Sequence, residues 1–293
     1  MFKNFFGKST ADSSRVLDGF RVNAEKLLLE GDKIPLTYWV QAPNFGDLLS
    51  PWLFNKLTGK DIKLVRVGTD PNKALLKKPT YISIGSILSR VQDLSIVWGS
   101  GSFGTEQARQ ISKKAKYHAV RGPLTRSLVM NQGGECPAIY GDPALLSPVV
   151  YNPSIKTEYE IGLVLRWSES EWLKAKPETG VRIIDLGTDD IEGVISQMKS
   201  CKRIITSSLH GLIIADAYGI PNAWLSSGTP KGGEFKFYDY FLSVNKVRHA
   251  QTYNVSGMGI RLDSLLKHFD FDGRPITFEP EVLLSACPFL DAV

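Results

Sequence analysis

No stretch of this sequence is apolar for long enough to cross a bilayer as a helix, which sets aside an integral helical membrane protein. Cysteine is scarce. Cys136, Cys201 and Cys287 are odd in number, widely separated and never arranged as a CxxC pair. They offer no disulfide framework, so the natural expectation is a reducing cytoplasm, with the three thiols as small buried packing residues. Histidine is equally sparse, and His118, His210, His249 and His268 show no ligand spacing with cysteines or carboxylates, so no metal is expected. A dense basic cluster with interleaved aromatics is also missing. The 35 Lys and Arg against 30 Asp and Glu give a net charge of +5 that is spread along the chain. That balance argues against a nucleic-acid binder and suits an anionic small substrate or an acidic membrane face. There is no internal repeat and no low-complexity tract. The opening MFKNFFGKSTADSSR lacks the long apolar core of a secretory signal. It reads as a frayed terminus, the sharper alternative being a weak membrane-surface anchor.

What is present is a long alternation of strand and helix signals. With 293 residues, 43% hydrophobic and 22% charged, the chain has material for two soluble domains with real cores. A helical-looking segment at 16–29 precedes the strand LTYWV (36–40), the loop QAPNFGD and the helix LLSPWLFNKL, which ends before Gly59. IKLVRV (62–67), YISIGSIL (81–88), SIVWGSG (95–101) and YHAVRGP (117–123) read as further strands. Pro123 then opens the helix PLTRSLVMNQG, and IYGDPALL closes this half. Strands that are apolar throughout are buried on both faces, as in parallel sheets covered by helices. The stretch SPVVYNPSIKTEY, from Ser147 to Tyr159, is the best linker candidate. Alternation resumes with IGLVLRW, VRIIDLG, DDIEGVISQMKSC, RIITSS, HGLIIADAYG and NAWLS, then a last helix at 259–269 and a proline-containing tail. The expected fold is α/β: two doubly wound, Rossmann-like domains, 1–150 and 158–293, facing across a cleft at the carboxyl ends of their strands. The last helix and tail of the second domain are free in this reading to pack back on the first.

The loops that follow the strands would line that cleft. In the first half they hold Asn44, Gly46 and Asp47, then Gly85 and Ser86, then Gly99, Ser100, Gly101 and Ser102, then Arg121 and Arg126. In the second half they hold Arg166, the pair Ser207 and Ser208 before His210, and Lys231, Lys236 and Tyr238. Glycines and helix N-termini let backbone N–H groups approach an anion, and arginine grips phosphate or carboxylate with a planar fork. Each residue also has an ordinary reading. Asp47 is placed to cap a helix, Asp142 to cap a turn, and His210 to bond a neighbouring backbone group. Their shared position at one sheet edge favours a site.

The ordered set PNFGD, GSGSFG, VRGPLTRSLV, YGDPALL and SSLHGLIIADAYGIP, followed by a lysine-rich segment, resembles the polysaccharide pyruvyl transferase family, in its bacterial capsule and exopolysaccharide branch. The resemblance runs from about Thr37 to about Tyr240. It implies a fold like that of GT-B glycosyltransferases, phosphoenolpyruvate as donor rather than any cofactor, and a sugar diol as acceptor. The implied product is a pyruvate ketal, with phosphate released. It implies an N-terminal domain on the acceptor side and a C-terminal domain on the donor side, His210 and Asp47 as catalytic residues, and Arg121 gripping the donor. Asn44, Gly46, Gly99, Ser100 and Gly101 would position the acceptor or the loops. Many members carry arginine where this chain has Ser208, so Arg166, Lys231 or Lys236, or the hydroxyls of Ser207 and Ser208, would supply the missing donor contact. A histidine suits protonation of the donor's methylene carbon, because its ordinary pKa of about 6.5 keeps both forms accessible. The implied acceptor is a lipid-linked repeat unit at the inner membrane face, which makes the protein cytoplasmic and open to peripheral attachment. Two other classes stay in view: a GT-B glycosyltransferase using a nucleotide sugar, and a non-catalytic glycan-binding homologue.

Overall fold

The computed structural model describes residues 10–69, 75–166, 169–227 and 233–293. A 3-10 segment, Thr10–Gly19, leads into the short strand β1 (Phe20–Val22). Then follow β2 (Ile34–Thr37), helix α1 (Phe45–Thr58), β3 (Ile62–Leu64), β4 (Thr80–Ile82), β5 (Ser95–Trp98), β6 (Lys116–Ala119) and α2 (Pro123–Asn131). A 3-10 turn, Pro143–Leu146, runs straight into α3 (Ser147–Val150). The second half contains β7 (Tyr159–Leu165), α4 (Ser170–Lys174), β8 (Val181–Asp185), α5 (Ile191–Lys199), β9 (Cys201–Thr206), α6 (Leu209–Ala217), β10 (Asn222–Trp224) and α7 (Phe235–Ser243). It ends with α8 (Val255–Met258), α9 (Leu262–His268), α10 (Pro280–Ser285) and β11 (Leu290–Ala292). No helix among the described residues is long and apolar enough to cross a membrane.

Strands β3-β2-β4-β5-β6 form one wholly parallel sheet, and β10-β9-β7-β8 form another. Successive residues of these strands enter different cores, as a sheet covered on both faces requires. Tyr81 and Trp98 join one cluster while their neighbours Ile82 and Val97 join another. Val164 faces one way, and Ile161, Leu163 and Leu165 the other. The largest core is continuous between the sheets: Phe45 and Leu49 of α1 share it with Leu186, Ile191, Leu209 and Leu212. In each sheet the winding direction reverses beside that sheet's first strand in the chain, between β2 and β4 and between β7 and β9. Ligands of open α/β sheets bind outside the carboxyl ends of the strands at such reversals.

Three expectations change. The segment at 16–29 is not one helix, because Phe20–Val22 pairs antiparallel with Leu290–Ala292 and that distant partner overrides local helical preference. The run at 81–88 pairs only through Ile82, and Gly85, at φ +119°, turns the chain away. The stretch expected as linker begins as a helix, since Ser147, Pro148 and Val149 are buried in α3, and only residues 151–158 run without regular structure. The tail also closes the first sheet's core. Phe289 lies 5.2 Å from Phe54, 5.5 Å from Tyr81 and 6.3 Å from Trp98 between ring centroids. The Trp98 indole N–H donates to the Leu283 carbonyl at 3.0 Å.

Candidate functional site

Both winding reversals point their strand-end loops at the same place. From the first sheet comes the start of α1. Asn44 caps that helix, its Oδ1 accepting from the Gly46 N–H at 3.0 Å, and Gly59 ends it at φ +67°. The Phe45 N–H donates to the Leu186 carbonyl after β8 at 2.9 Å, which ties this loop to the second sheet. From the second sheet comes the start of α6, with Ser208 at its N-cap and His210 in its first turn. Gly211 follows because a Cβ there would collide with Thr206 Oγ1, so only glycine lets α6 lie this close to β9.

The His210 ring lies directly over Gly46. A Cβ on Gly46 would fall inside 3 Å of both Nδ1 and Cγ of that ring. The opposite nitrogen, Nε2, is buried without a hydrogen-bond partner and stands 3.7 Å from Asp142 Oδ2. That oxygen is also buried and unpartnered, although the other Asp142 oxygen accepts from the Ala144 N–H at 3.0 Å. The His210 side chain is 14% exposed and Asp142 is fully buried.

Asp47, beside Gly46, is half-buried. Burial pushes its carboxyl up to about 6, opposed by the positive charges of His210, Lys236 and Arg90. Lys236 lies in the first turn of α7, its Nζ 5.4 Å from the Phe103 ring centroid and 5.2 Å from that of Phe237. Burial pulls Lys236 down to about 8, with Arg166 and Arg121 pressing the same way and Asp47 opposing. Arg166 donates to the Ser227 hydroxyl at 3.3 Å. Ser207 is fully buried with its hydroxyl unpartnered, and the Ser208 N–H donates to Thr206 Oγ1 at 3.1 Å.

Arg121 sits behind this ring of groups and is fully buried. Its Nε donates to Asp239 Oδ2 at 3.0 Å, one terminal nitrogen donates to Ser86 Oγ at 2.7 Å, and the other donates to the Ser102 carbonyl at 2.7 Å. Gly99, Ser100 and Gly101 are buried around it. The Ser100 hydroxyl donates to the Gly85 carbonyl at 3.1 Å, and its own carbonyl accepts from the Arg121 N–H. Side chains on Gly99 and Gly101 would collide with Pro143 and with the Arg121 guanidinium respectively. The loop therefore seats the arginine and the Gly-Asp-Pro turn. Lys231, expected among the donor contacts, lies outside the described residues.

Sequence reading missed three participants. Asp142 was visible only as a turn cap, which describes one of its two oxygens. Arg90, an electrostatic neighbour of Asp47, sits in a short 3-10 turn without a motif. Asp239 lies inside the aromatic run FKFYDYFLS, which gave no helix signal, yet Thr125 bonds it through both its N–H (2.9 Å) and its hydroxyl (2.6 Å).

Residues 37–229 match the family model described as polysaccharide pyruvyl transferase. A relative from Acanthamoeba polyphaga mimivirus, the uncharacterized protein L143, is 31% identical over 228 residues, covering 75% of this chain and 77% of that one. The succinoglycan biosynthesis protein ExoV of Rhizobium meliloti is 28% identical over 250 residues, covering 80% of this chain and 72% of its own. A solved structure of an uncharacterized Klebsiella pneumoniae protein aligns with 76% of this chain and 93% of its own, at 13% identity and a TM-score of 0.43. With a matched region that holds Asn44, Asp47, Arg121, Asp142 and His210, the chain belongs to the polysaccharide pyruvyl transferase family and is a transferase.

Proposed function

We propose that the protein moves the enolpyruvyl-derived group of phosphoenolpyruvate onto two hydroxyls of one sugar in an exopolysaccharide or capsule repeat unit, forming a pyruvate ketal and releasing phosphate. One observation carries the reading: the His210 ring comes from one sheet to lie over Gly46 of the other, next to the carboxylate of Asp47, where the winding of both sheets reverses, with the charges of Lys236 and Arg166 close by. The Rhizobium relative's role in succinoglycan biosynthesis supports an exopolysaccharide acceptor. In this reading the sheets are the two halves of a GT-B-like cleft, and the acceptor is lipid-linked at the cytoplasmic membrane face.

His210 gives a proton to the donor's methylene carbon. The adjacent carbon gains cationic character, and a sugar hydroxyl adds to it while Asp47 takes the hydroxyl proton. Phosphate then leaves with the proton Asp47 took, and the second hydroxyl closes the ring, its proton returning to His210. A base held near 6 is ionised at neutral pH yet still basic enough to accept. Lys236 and Arg166 offset the donor's negative charge, and the unpartnered Ser207 hydroxyl offers a phosphate oxygen a bond at the start of α6. Arg121 acts from behind, holding the 99–104 loop and Asp239 in place.

The reading is tested by phosphate release from phosphoenolpyruvate, with and without a crude lipid-linked oligosaccharide fraction. Acceptor-dependent release is expected. Binding of a nucleoside diphosphate without any release from phosphoenolpyruvate would overturn it.

The same assay run across pH should show KM for phosphoenolpyruvate rising as pH rises through about 8, because deprotonation of Lys236 removes a positive charge from the donor's surroundings, whereas loss of the His210 proton lowers kcat. The acid side is less diagnostic, since a donor phosphate titrates near the Asp47 carboxyl, at about 6. Lys236→Arg keeps its charge at all accessible pH and should hold KM level over that range. A KM rise that persists in Lys236→Arg would remove Lys236 from the donor site.

A further inference from the structure

Two buried polar atoms without partners face each other in this protein: Nε2 of His210 and Oδ2 of Asp142, 3.7 Å apart. Buried polar atoms are almost always hydrogen-bonded, so an unpartnered pair of complementary type needs a reason. The separation is beyond bonding length, and closing it by ~0.8 Å would make an ordinary N–H to carboxylate bond. The carboxylate is fixed independently. Its other oxygen caps the Pro143–Leu146 turn, Pro143 packs where Gly99 has no side chain, and the whole residue is excluded from solvent. A rigid, dry carboxylate aimed at one ring nitrogen settles which nitrogen carries the hydrogen in the neutral ring.

We propose that Asp142 is the positioning residue of His210: it holds the hydrogen on Nε2 and leaves Nδ1, the nitrogen over Gly46, as the one that works on substrate. The assignment rests on the pyruvyl-transfer reading for its kinetic consequence, and on geometry alone for its tautomer. In the charged ring both nitrogens carry hydrogen. Nδ1 gives its proton to the donor's methylene carbon, and the neutral ring that remains keeps Nε2–H towards Asp142. The other charged groups around the ring are Asp47 from α1, with Lys236 and Arg90 beyond it, while Tyr240 of α7 stands near Asp142. None of these is hydrogen-bonded to Nε2, so the tautomer is Asp142's to set.

The test is nitrogen-15 NMR of the four histidine rings in the whole protein at neutral to mildly alkaline pH, with the His210 signals identified by their loss in His210→Ala. The expected neutral form has its hydrogen on Nε2. Asp142→Asn keeps the cap through its carboxamide oxygen and can turn its NH2 towards the ring. It should move the hydrogen to Nδ1 and lower kcat by about 100-fold or more, with KM for phosphoenolpyruvate changed less than about threefold. A wild-type ring with its hydrogen on Nδ1 overturns the assignment, even if the variant does not fold. So does an Asp142→Asn protein with unchanged tautomer or unchanged kcat. Should wild type release no phosphate from phosphoenolpyruvate, the pyruvyl reading fails by itself, and the NMR result still decides for or against Asp142.

Discussion

Gly46→Ala should remove turnover as completely as His210→Ala, by about 10²- to 10⁴-fold in each case, while the protein remains folded. On helix propensity alone the change is favourable, since alanine in a helix is better than glycine by about 1 kcal/mol. The penalty is entirely local. The added methyl would fall inside 3 Å of Nδ1 and Cγ of His210, so ring and methyl cannot both keep their places. Helix α1 cannot retreat, because Phe45 beside it is fully buried and its N–H is bonded to the Leu186 carbonyl. The ring has to move, and it leaves both Asp142 and the side facing Asp47. Phosphate release gives the kinetic outcome, and a thermal melt within a few degrees of wild type shows that the loss is not unfolding. A Gly46→Ala enzyme with near-native turnover would mean that the position of this ring does not matter to the chemistry.

Asp239→Ala should be the most destabilising single change at the site, costing about 3–5 kcal/mol. Arg121 and Asp239 are both fully excluded from solvent, at 0% exposure. Truncating the carboxylate leaves a guanidinium charge in a dry interior and also strands the Thr125 N–H and hydroxyl that Asp239 now accepts. For a chain of this size the loss corresponds to roughly 6–20 °C in melting temperature. The double change Arg121→Met with Asp239→Leu should recover the part of that loss due to the unpaired charge, because paired removal of buried charges is tolerated where removal of one is not, while the Thr125 groups stay stranded. It should not recover activity. Asp239 lies on α7 one turn after Lys236, and Tyr240 beside it donates to Asp216 of α6 at 2.8 Å. Helix α7 is thus fastened to both sheets, and losing one fastening displaces the lysine. A loss below about 1 kcal/mol for Asp239→Ala would show that the pair is dispensable.

Elements bounded by their own residues were readable in advance. Gly59 ends α1, Pro123 opens α2, and the apolar run after Ser208 is α6, although α1 starts three residues earlier than expected, with Asn44 rather than Asp47 as its cap. Elements made by distant partners were not. Strand β1 exists because of β11, and α7 is held by Arg121, Thr125 and Asp216 while its own sequence resembles an aromatic loop. The strand expected over 81–88 stops at Ile82, six residues short, and Gly85 beyond it takes a backbone conformation that other residues avoid. The same division runs through the site. Motif residues such as Asn44, Asp47 and His210 could be placed at strand ends from the alternation alone. What each one touches depends on how one sheet faces the other. Arg121 illustrates this best: its motif marks it for an anion, and the fold gives it Asp239 as its own.

The aromatic nest around Phe289 also bears on how the chain is made. Phe54, Tyr81 and Trp98 belong to the first sheet and its helix, yet the ring that completes their packing arrives about 190 residues after Trp98 in the order of synthesis. Ribosomal synthesis usually lets an N-terminal half fold while the next is being translated, and in this protein that half should not finish folding so early. Its first half emerges with an unfilled aromatic socket and an unpaired β1, and both stay open until residues 289–292 leave the exit tunnel. Nascent chains should accordingly engage chaperones throughout translation, and a ribosome stalled near residue 280 should hold a protease-sensitive first half rather than a finished one.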